Sequence, residues 1–320
     1  MDTENKKSDF TFVIQGMFHP NTVYAIPYYL MYGDVVVSTW KHSPPLIIQG
    51  KIKNETQIPA RSIENFLRHY NKESYLERIH FVLDECPSQS YLYKNEIHNR
   101  KNCYYQYLST LNGLNKVKTK YAIKVRSDEI YTDFNQLIDK VKKSDGKKLV
   151  TTNSFFRKVK DFPWHPSDHL VACETEHMKK VFQKCLSFCT NGGFFSSEDL
   201  NKIKGNETCY GSPYRTRLTK IENKGLVRCE QDFAAPHIWP EMILGMSHLL
   251  ASNVYIDADK FSKIMKDNFD VVNNDSMGFV QITHSIKNKD TRFVESTNLE
   301  QRLREEASLS LRYSMDEIQS

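Results

Sequence analysis

The chain has 320 residues, 39% of them hydrophobic and 12% aromatic, enough to build a sizeable core in one large or two small domains. Its formal net charge of +5 comes from lysines scattered beside acids. There is no zinc-finger spacing, RNP-like aromatic motif or basic heptad helix, so the sequence argues against nucleic acid as a partner.

The seven cysteines are odd in number and none is spaced as CxxC, which suits a reduced, intracellular setting. The N-terminal MDTENKKSD is followed by no apolar leader, and no run approaches the ~20 apolar residues of a membrane span. The expectation is a cytoplasmic, soluble protein with no transmembrane segment, one able to sit peripherally at a membrane. The sequons at Asn54, Asn206 and Asn274 carry no weight in that setting.

Phe10 to Ile14 is an apolar run ending in Gln15 and Gly16, a first buried parallel strand followed by a loop. A helix from Asn21 to Tyr32 follows, with Pro27 inside it. Asp34 to Trp40 reads as a second strand, ending in a hydroxyl pair, Ser38 and Thr39, and the Trp40 indole. Trp40 is equally readable as core or rim packing. Next come a proline-bearing loop with a short strand at Leu46 to Ile48, a helix over Arg61 to Tyr70 and a strand over Ile79 to Leu83. Asp84 and Glu85 after that strand read as turn residues that could also meet ribose hydroxyls. A long helix spans Glu96 to Val117, with lysines at its C-terminal end. Tyr121 to Val125 is the next buried strand, followed by an amphipathic helix from Phe134 and a strand over Lys148 to Thr152. Strands alternating with helices predict a parallel βαβ sheet. GxGxxG and GxxxxGK[ST] are absent, which weakens dehydrogenase and P-loop readings.

Three stretches carry chemistry. The central strand stops on Arg126, Ser127, Asp128 and Glu129, and ligands of open α/β sheets bind at such carboxyl ends. Adjacent acids there supply hard oxygen ligands for Mg²⁺ or Mn²⁺, which can clamp a diphosphate; the plainer alternative is an acidic turn capping the next helix. WHPSDHL, Trp164 to Leu170, packs two histidines and an acid into seven residues. It offers a further ligand or an acceptor contact from His165 and Asp168, or a turn capped by Ser167 or Asp168; His169 is read as part of such a turn. In HIWPEMILGMSHLL, Pro240 suits a first helical turn and puts Glu241 at the positive helix end, as a general base or merely as a helix-stabilising acid. Glu230 and Asp232 are rivals for that role. Asn191 to Asn206 is a glycine- and serine-bearing loop, a lid or a surface insertion. Gly278 to Thr283 reads as an edge strand with His284 at its end, and Leu299 to Arg312 as a charged helix before a loose tail.

STLNGLNKVKTKYAIKVRSDE, Ser109 to Glu129, resembles the central signature of the WavE lipopolysaccharide-synthesis family. FVIQG at Phe12 to Gly16, STW at Ser38 to Trp40, HPSD at His165 to Asp168 and PEMIL at Pro240 to Leu244 recur in the same order, over roughly residues 10 to 250. Where the family often has Asn-Arg-Gln before its Ser-Thr, this chain has Tyr104, Tyr105 and Gln106, with Arg100 about one helical turn upstream. The resemblance implies a GT-A-like α/β single domain with a central, mostly parallel twisted sheet flanked by helices. It also implies a glycosyltransferase moving a sugar from a nucleoside diphosphate sugar, a UDP-sugar, to a glycan or glycolipid acceptor. Asp128 and Glu129 would hold Mn²⁺ or Mg²⁺. Gln15, Gly16, Ser38, Thr39, Trp40, Arg100, Arg126 and Ser127 would bind the donor, His165 and Asp168 the acceptor or sugar, and Glu241 would be the catalytic base of an inverting reaction. Residues 10–153 would then form the donor half and 154–295 the acceptor half, flanked by a flexible 1–9 and a C-terminal helix and tail at 296–320. A sugar-nucleotide nucleotidyltransferase and a non-catalytic glycan-binding protein are the alternatives; the first usually carries a glycine-rich basic loop after its first strand, which FVIQGMFHPN lacks.

Overall fold

The computed structural model describes residues 8–18, 20–40, 47–48, 51–52, 59–85, 98–153, 164–191, 194–204, 216–221, 226–231 and 240–281. His284 and the helix expected over Leu299 to Arg312 lie outside the described residues. In chain order the first half comprises β1 (Phe10–Gln15), α1 (Pro20–Leu30), β2 (Asp34–Trp40), the short β3 (Ile47–Ile48) and β4 (Lys51–Ile52), α2 (Pro59–His69), β5 (Ile79–Asp84), α3 (His98–Leu114), β6 (Tyr121–Arg126), β7 (Glu129–Ile130), α4 (Asn135–Lys143) and β8 (Leu149–Thr152). The second half comprises β9 (Val171–Glu174), α5 (Thr175–Thr190), β10 (Phe194–Phe195), α6 (Ser197–Leu200), β11 (Ile203–Lys204), β12 (Thr216–Ile221), β13 (Leu226–Gln231), α7 (Pro240–Ala251), β14 (Ile256–Asp257), α8 (Phe261–Asn268), β15 (Phe269–Val272) and β16 (Val280–Gln281).

Seven strands form the central sheet in the order β15-β8-β9-β6-β1-β2-β5. All neighbours run parallel except at β9, which is antiparallel to both β6 and β8. The expected α/β architecture, a mostly parallel sheet flanked by helices, is what the chain adopts. β1 and β6 read as continuous apolar runs because both of their faces are covered. On one face Phe10, Phe12, Ile14, Ile123 and Val125 pack with Ile26, Tyr29, Phe134 and Leu137 of α1, α4 and their flanks. On the other, Val13, Val36 and Ala122 pack with Tyr107, Val181, Phe182 and Leu249 of α3, α5 and α7. In α4 the buried Leu137 and Val141 are one turn apart, and Lys140, Lys142 and Lys143 occupy the negative helix end.

The chain moves outward from β1 to β2 to β5, then returns to lay β6 on the other side of β1. Strand order therefore reverses between β1 and β6, and at such a point the crevice outside the carboxyl ends is a ligand site.

Candidate functional site

Three side chains stand in one row at that crevice. Gln15 is in register with Ser38 on one side and Arg126 on the other, so all three project to the face covered by α3. Ser38 Oγ donates to the Ser109 carbonyl at 2.6 Å, and Ser109 Oγ donates to Gln15 Oε1 at 3.2 Å. Gly113, one turn further along α3, lets the helix lie on the strands: a Cβ there would fall 2.5 Å from Val13 and 3.0 Å from Ser38. Gln15, Ser38, Thr39 and Trp40 are all buried, and Trp40 packs edge-on against Tyr105 at 6.0 Å. Asp84 accepts from Asn112 Nδ2 at 2.7 Å, which gives it a structural partner on α3. Arg100 belongs to α3, but its side chain is outside the described residues.

The Arg126–Glu129 turn is anchored from the β1 side. Ser127 N donates to the Gln15 carbonyl at 3.0 Å and Ser127 Oγ to the Met17 carbonyl at 2.5 Å. Thr22 and Asn21, at the start of α1, donate to the carbonyls of Ser127 and Asp128 at 2.9 and 3.0 Å. Gly16 has φ +122°, and a Cβ on it would lie 2.9 Å from Ser127 Oγ, so glycine is required at this close approach. Arg126 forks onto Asp128, with Nε and Nη2 each 2.9 Å from a different carboxylate oxygen, and Nε lies 3.6 Å from Glu129 Oε1. Burial alone would raise the Asp128 pKa; the Arg126 hydrogen bonds and charge outweigh it and hold the pKa below its usual value. Glu129 is fully buried; it accepts from Tyr131 OH at 3.1 Å and pairs with His169 Nδ1.

WHPSDH reaches the same edge because β9 is antiparallel: the residues preceding it emerge beside the end of β6. Thr151 Oγ1 clips the turn, lying 2.7 and 2.9 Å from the carbonyls of Ser167 and Leu170. Asp168 is buried and accepts from Gln106 Nε2 at 2.5 Å, while its carbonyl accepts from Lys124 Nζ. Burial would raise the Asp168 pKa, but Lys124, His169, Arg126 and Gln106 together drive it down. Lys124 is itself fully buried in the middle of β6, and desolvation lowers its pKa despite Asp168. In the sequence Lys124 carries no role and His169 reads as a turn residue. A lysine breaking a buried strand was the available signal, since such a group requires a partner.

Glu241 opens α7 behind Pro240, as expected, and Tyr107 OH holds the Pro240 carbonyl at 2.9 Å. Glu241 Oε2 lies 3.6 Å from His165 Nε2, with 12% of the glutamate side chain exposed. Gly245, one turn on, makes this approach possible: a Cβ there would fall 2.2 Å from the Trp164 carbonyl. Glu230 lies in β13 with its side chain outside the described residues, and Asp232 is outside them entirely. Of the stretch Asn191 to Asn206, Ser197–Leu200 is a helical turn whose Asp199 binds Lys184 at 2.7 Å, and Ile203–Lys204 pairs with β14.

Among the described residues no group of three or more His, Cys, Asp or Glu side chains is arranged to hold a metal. An all-protein cage is not what Mg²⁺ or Mn²⁺ needs at a diphosphate; one or two carboxylates plus the phosphates suffice. Asp128 fits that demand. Its side chain is 23% exposed at the crevice, and a carboxylate has about four lone-pair sites, of which the Arg126 fork takes two. Both Glu129 oxygens are engaged, Oε2 by Tyr131 and Oε1 by His169 and, at 3.6 Å, by Arg126, so Glu129 serves to hold the turn.

The molecule is thus an α/β protein with a charged site at the switch point of its central sheet. The model of the WavE lipopolysaccharide synthesis family matches residues 78–312, and the chain belongs to that family. The match takes in RSDE, HPSD and PEMIL; FVIQG and STW precede it. No curated protein matches the chain. Among solved structures, HddC from Yersinia pseudotuberculosis, complexed with GMP-PN, is similar over 53% of this chain and 78% of its own, at 9% identity and a TM-score of 0.29. That likeness is too slight to carry an argument. Among the described residues no helix is long and apolar enough to cross a membrane.

Proposed function

We propose that this protein is a GT-A-type glycosyltransferase of lipopolysaccharide-like glycan synthesis. It moves a sugar from a nucleoside diphosphate sugar, with uridine as the base, to a hydroxyl of a glycan or glycolipid acceptor, with inversion. The observation that carries the reading is that one turn, residues 164–169, touches both candidate centres: His169 meets Glu129 beside Asp128, and His165 meets Glu241. Family membership supplies the glycan context.

In this reading Gly16, Arg126 and Ser127 line the donor side, with Gln15, Ser38, Thr39 and Trp40 fixing the strand ends beneath them and Arg100 on the covering helix. Mn²⁺ or Mg²⁺, held by Asp128 and the donor phosphates, would neutralise the leaving diphosphate. Glu129 keeps Arg126 and His169 in place. Glu241 takes the acceptor proton, held against His165 by the α7 start, and Asp168 and His165 shape the acceptor side. Residues 10–153 serve the donor and 154–295 the acceptor.

The test is calorimetry of nucleoside diphosphates with and without Mn²⁺. Metal-dependent binding that Asp128→Asn abolishes, with the fold intact by circular dichroism, is the expected result. A metal-independent affinity equal in both proteins would overturn the metal assignment. A pure glycan-binding protein would bind no nucleotide at all.

A further inference from the structure

Arg126 has an unusual station for a donor-binding residue. Its guanidinium is already spent on Asp128, two residues away, through two parallel 2.9 Å hydrogen bonds. The backbone between them is pinned by Gln15, Met17, Asn21 and Thr22, so the fork sits on a fixed turn. Asp128 and Glu129 both reach this guanidinium, at 2.9 and 3.6 Å, and the charge of Asp168 favours it further. The Arg126 side chain is 26% exposed and Asp128 23%, so the fork at the end of β6 is open to solvent rather than sealed off.

A divalent cation and a guanidinium compete for the same carboxylate. A diphosphate in turn offers the guanidinium the bidentate geometry it has with Asp128. We propose that Arg126 is an internal competitor for the metal on Asp128, which transfers to the donor diphosphate when donor and metal bind together. The inference rests on the metal-and-diphosphate reading above. It adds a linkage that reading lacks: the metal alone must displace Arg126 without giving it a new partner, and so binds weakly, whereas metal and diphosphate together exchange partners and bind cooperatively.

The consequence has opposite signs for the two ligands. Arg126→Gln removes the competitor, so Mn²⁺ alone should bind more tightly, by roughly 10–100-fold if a charge-assisted fork is what it displaces. The same variant should bind the diphosphate less tightly in saturating Mn²⁺, by a comparable factor. Arg126→Lys, a point charge without the fork, should fall between wild type and Arg126→Gln for Mn²⁺ alone, and it covers the case in which the glutamine variant fails to fold.

The experiment is calorimetric titration of Mn²⁺ alone, and then of the nucleoside diphosphate that binds best among uridine, guanosine and cytidine, into wild type, both Arg126 variants and Asp128→Asn. Tighter Mn²⁺ with weaker diphosphate in Arg126→Gln supports the exchange. Mn²⁺ binding no tighter than wild type in either Arg126 variant, while Asp128→Asn binds none, overturns the competition and leaves the metal site standing. Mn²⁺ binding by Asp128→Asn equal to wild type removes the metal site, and the exchange with it.

Discussion

Residues 164–169 present one histidine to each of two glutamates, and the two pairs are built differently. His169 meets a fully buried Glu129 that also holds Tyr131 and neighbours Arg126. His165 meets Glu241 at 3.6 Å, on a helix start, with the carboxylate partly open. The closed pair is surrounded by groups that need it: removing Glu129 would leave the buried His169 and Tyr131 without their acceptor and the half-buried Arg126 facing one acid fewer. In the other pair the glutamate side chain is 12% exposed at the positive end of a helix, and the proposed reading gives it the acceptor proton. One turn thus serves as scaffold at its end and, in the proposed reading, as site at its beginning.

The comparison can be broken by mutation, starting from the closed pair. Glu129→Ala should lower the free energy of unfolding by about 3 kcal/mol, the cost of leaving the buried donors of His169 and Tyr131 without their acceptor. Urea denaturation measures it, and a loss near zero would mean that Glu129 is not the anchor. Glu241→Gln should do the reverse. Turnover of the donor sugar should fall by ~10²–10⁴-fold with donor affinity nearly unchanged, and stability should change by about 1 kcal/mol or less. Full turnover in that variant would remove Glu241 from the chemistry.

Gly245→Ala tests how the open pair is assembled. The added methyl meets backbone, the Trp164 carbonyl, and should cost about 1–3 kcal/mol of stability as the turn backs away from α7. Turnover should drop with it while nucleoside diphosphate affinity holds. Unchanged turnover would show that the His165–Glu241 spacing does not matter.

A pH-limited effect comes from His248, which faces another histidine. His248 Nε2 donates to the Asn268 carbonyl at 3.0 Å, so its Nδ1 accepts from His177 Nε2 at 2.9 Å. Burial, and secondarily His177, pushes the His248 pKa down to about 3. The unfolded chain binds this proton below about pH 6.5 and the folded one does not, so stability falls as pH drops from about 6.5 towards 3. Between pH 6.5 and 5 the loss is roughly 1.6 kcal/mol. Denaturation at both pH values should show a shallower pH slope in His248→Gln; equal slopes would mean that the imidazole is protonated in the fold.

The strands over Phe10, Asp34, Ile79, Tyr121 and Lys148 and the helix into Leu114 were legible because each is an apolar run or a helical period bounded by polar residues. RSDE stood out because two acids end such a run. β9 was not legible: four residues, VACE, carry no period, and nothing local says that they run antiparallel. β15 was missed as well, since FDVV is only four residues, with an acid second and just Phe269 and Val272 buried. With β9 went the partnership of His169 with Glu129, forty residues apart.

What the sequence determined by itself is the alternation of buried strands and amphipathic helices, and the placing of Arg126–Glu129 at a strand end and Glu241 at a helix start. These are local consequences of side-chain period and of proline and helix-dipole chemistry. Only the tertiary structure decided that β6 returns beside β1, that β9 reverses direction, and that Gly245 lets Trp164 close on α7. Those choices set which charge faces which: Lys124 on the Asp168 carbonyl, Arg126 on Asp128, His169 on Glu129. A charge is chosen as a partner by distance and burial, and neither is a property of the residue's place in the chain.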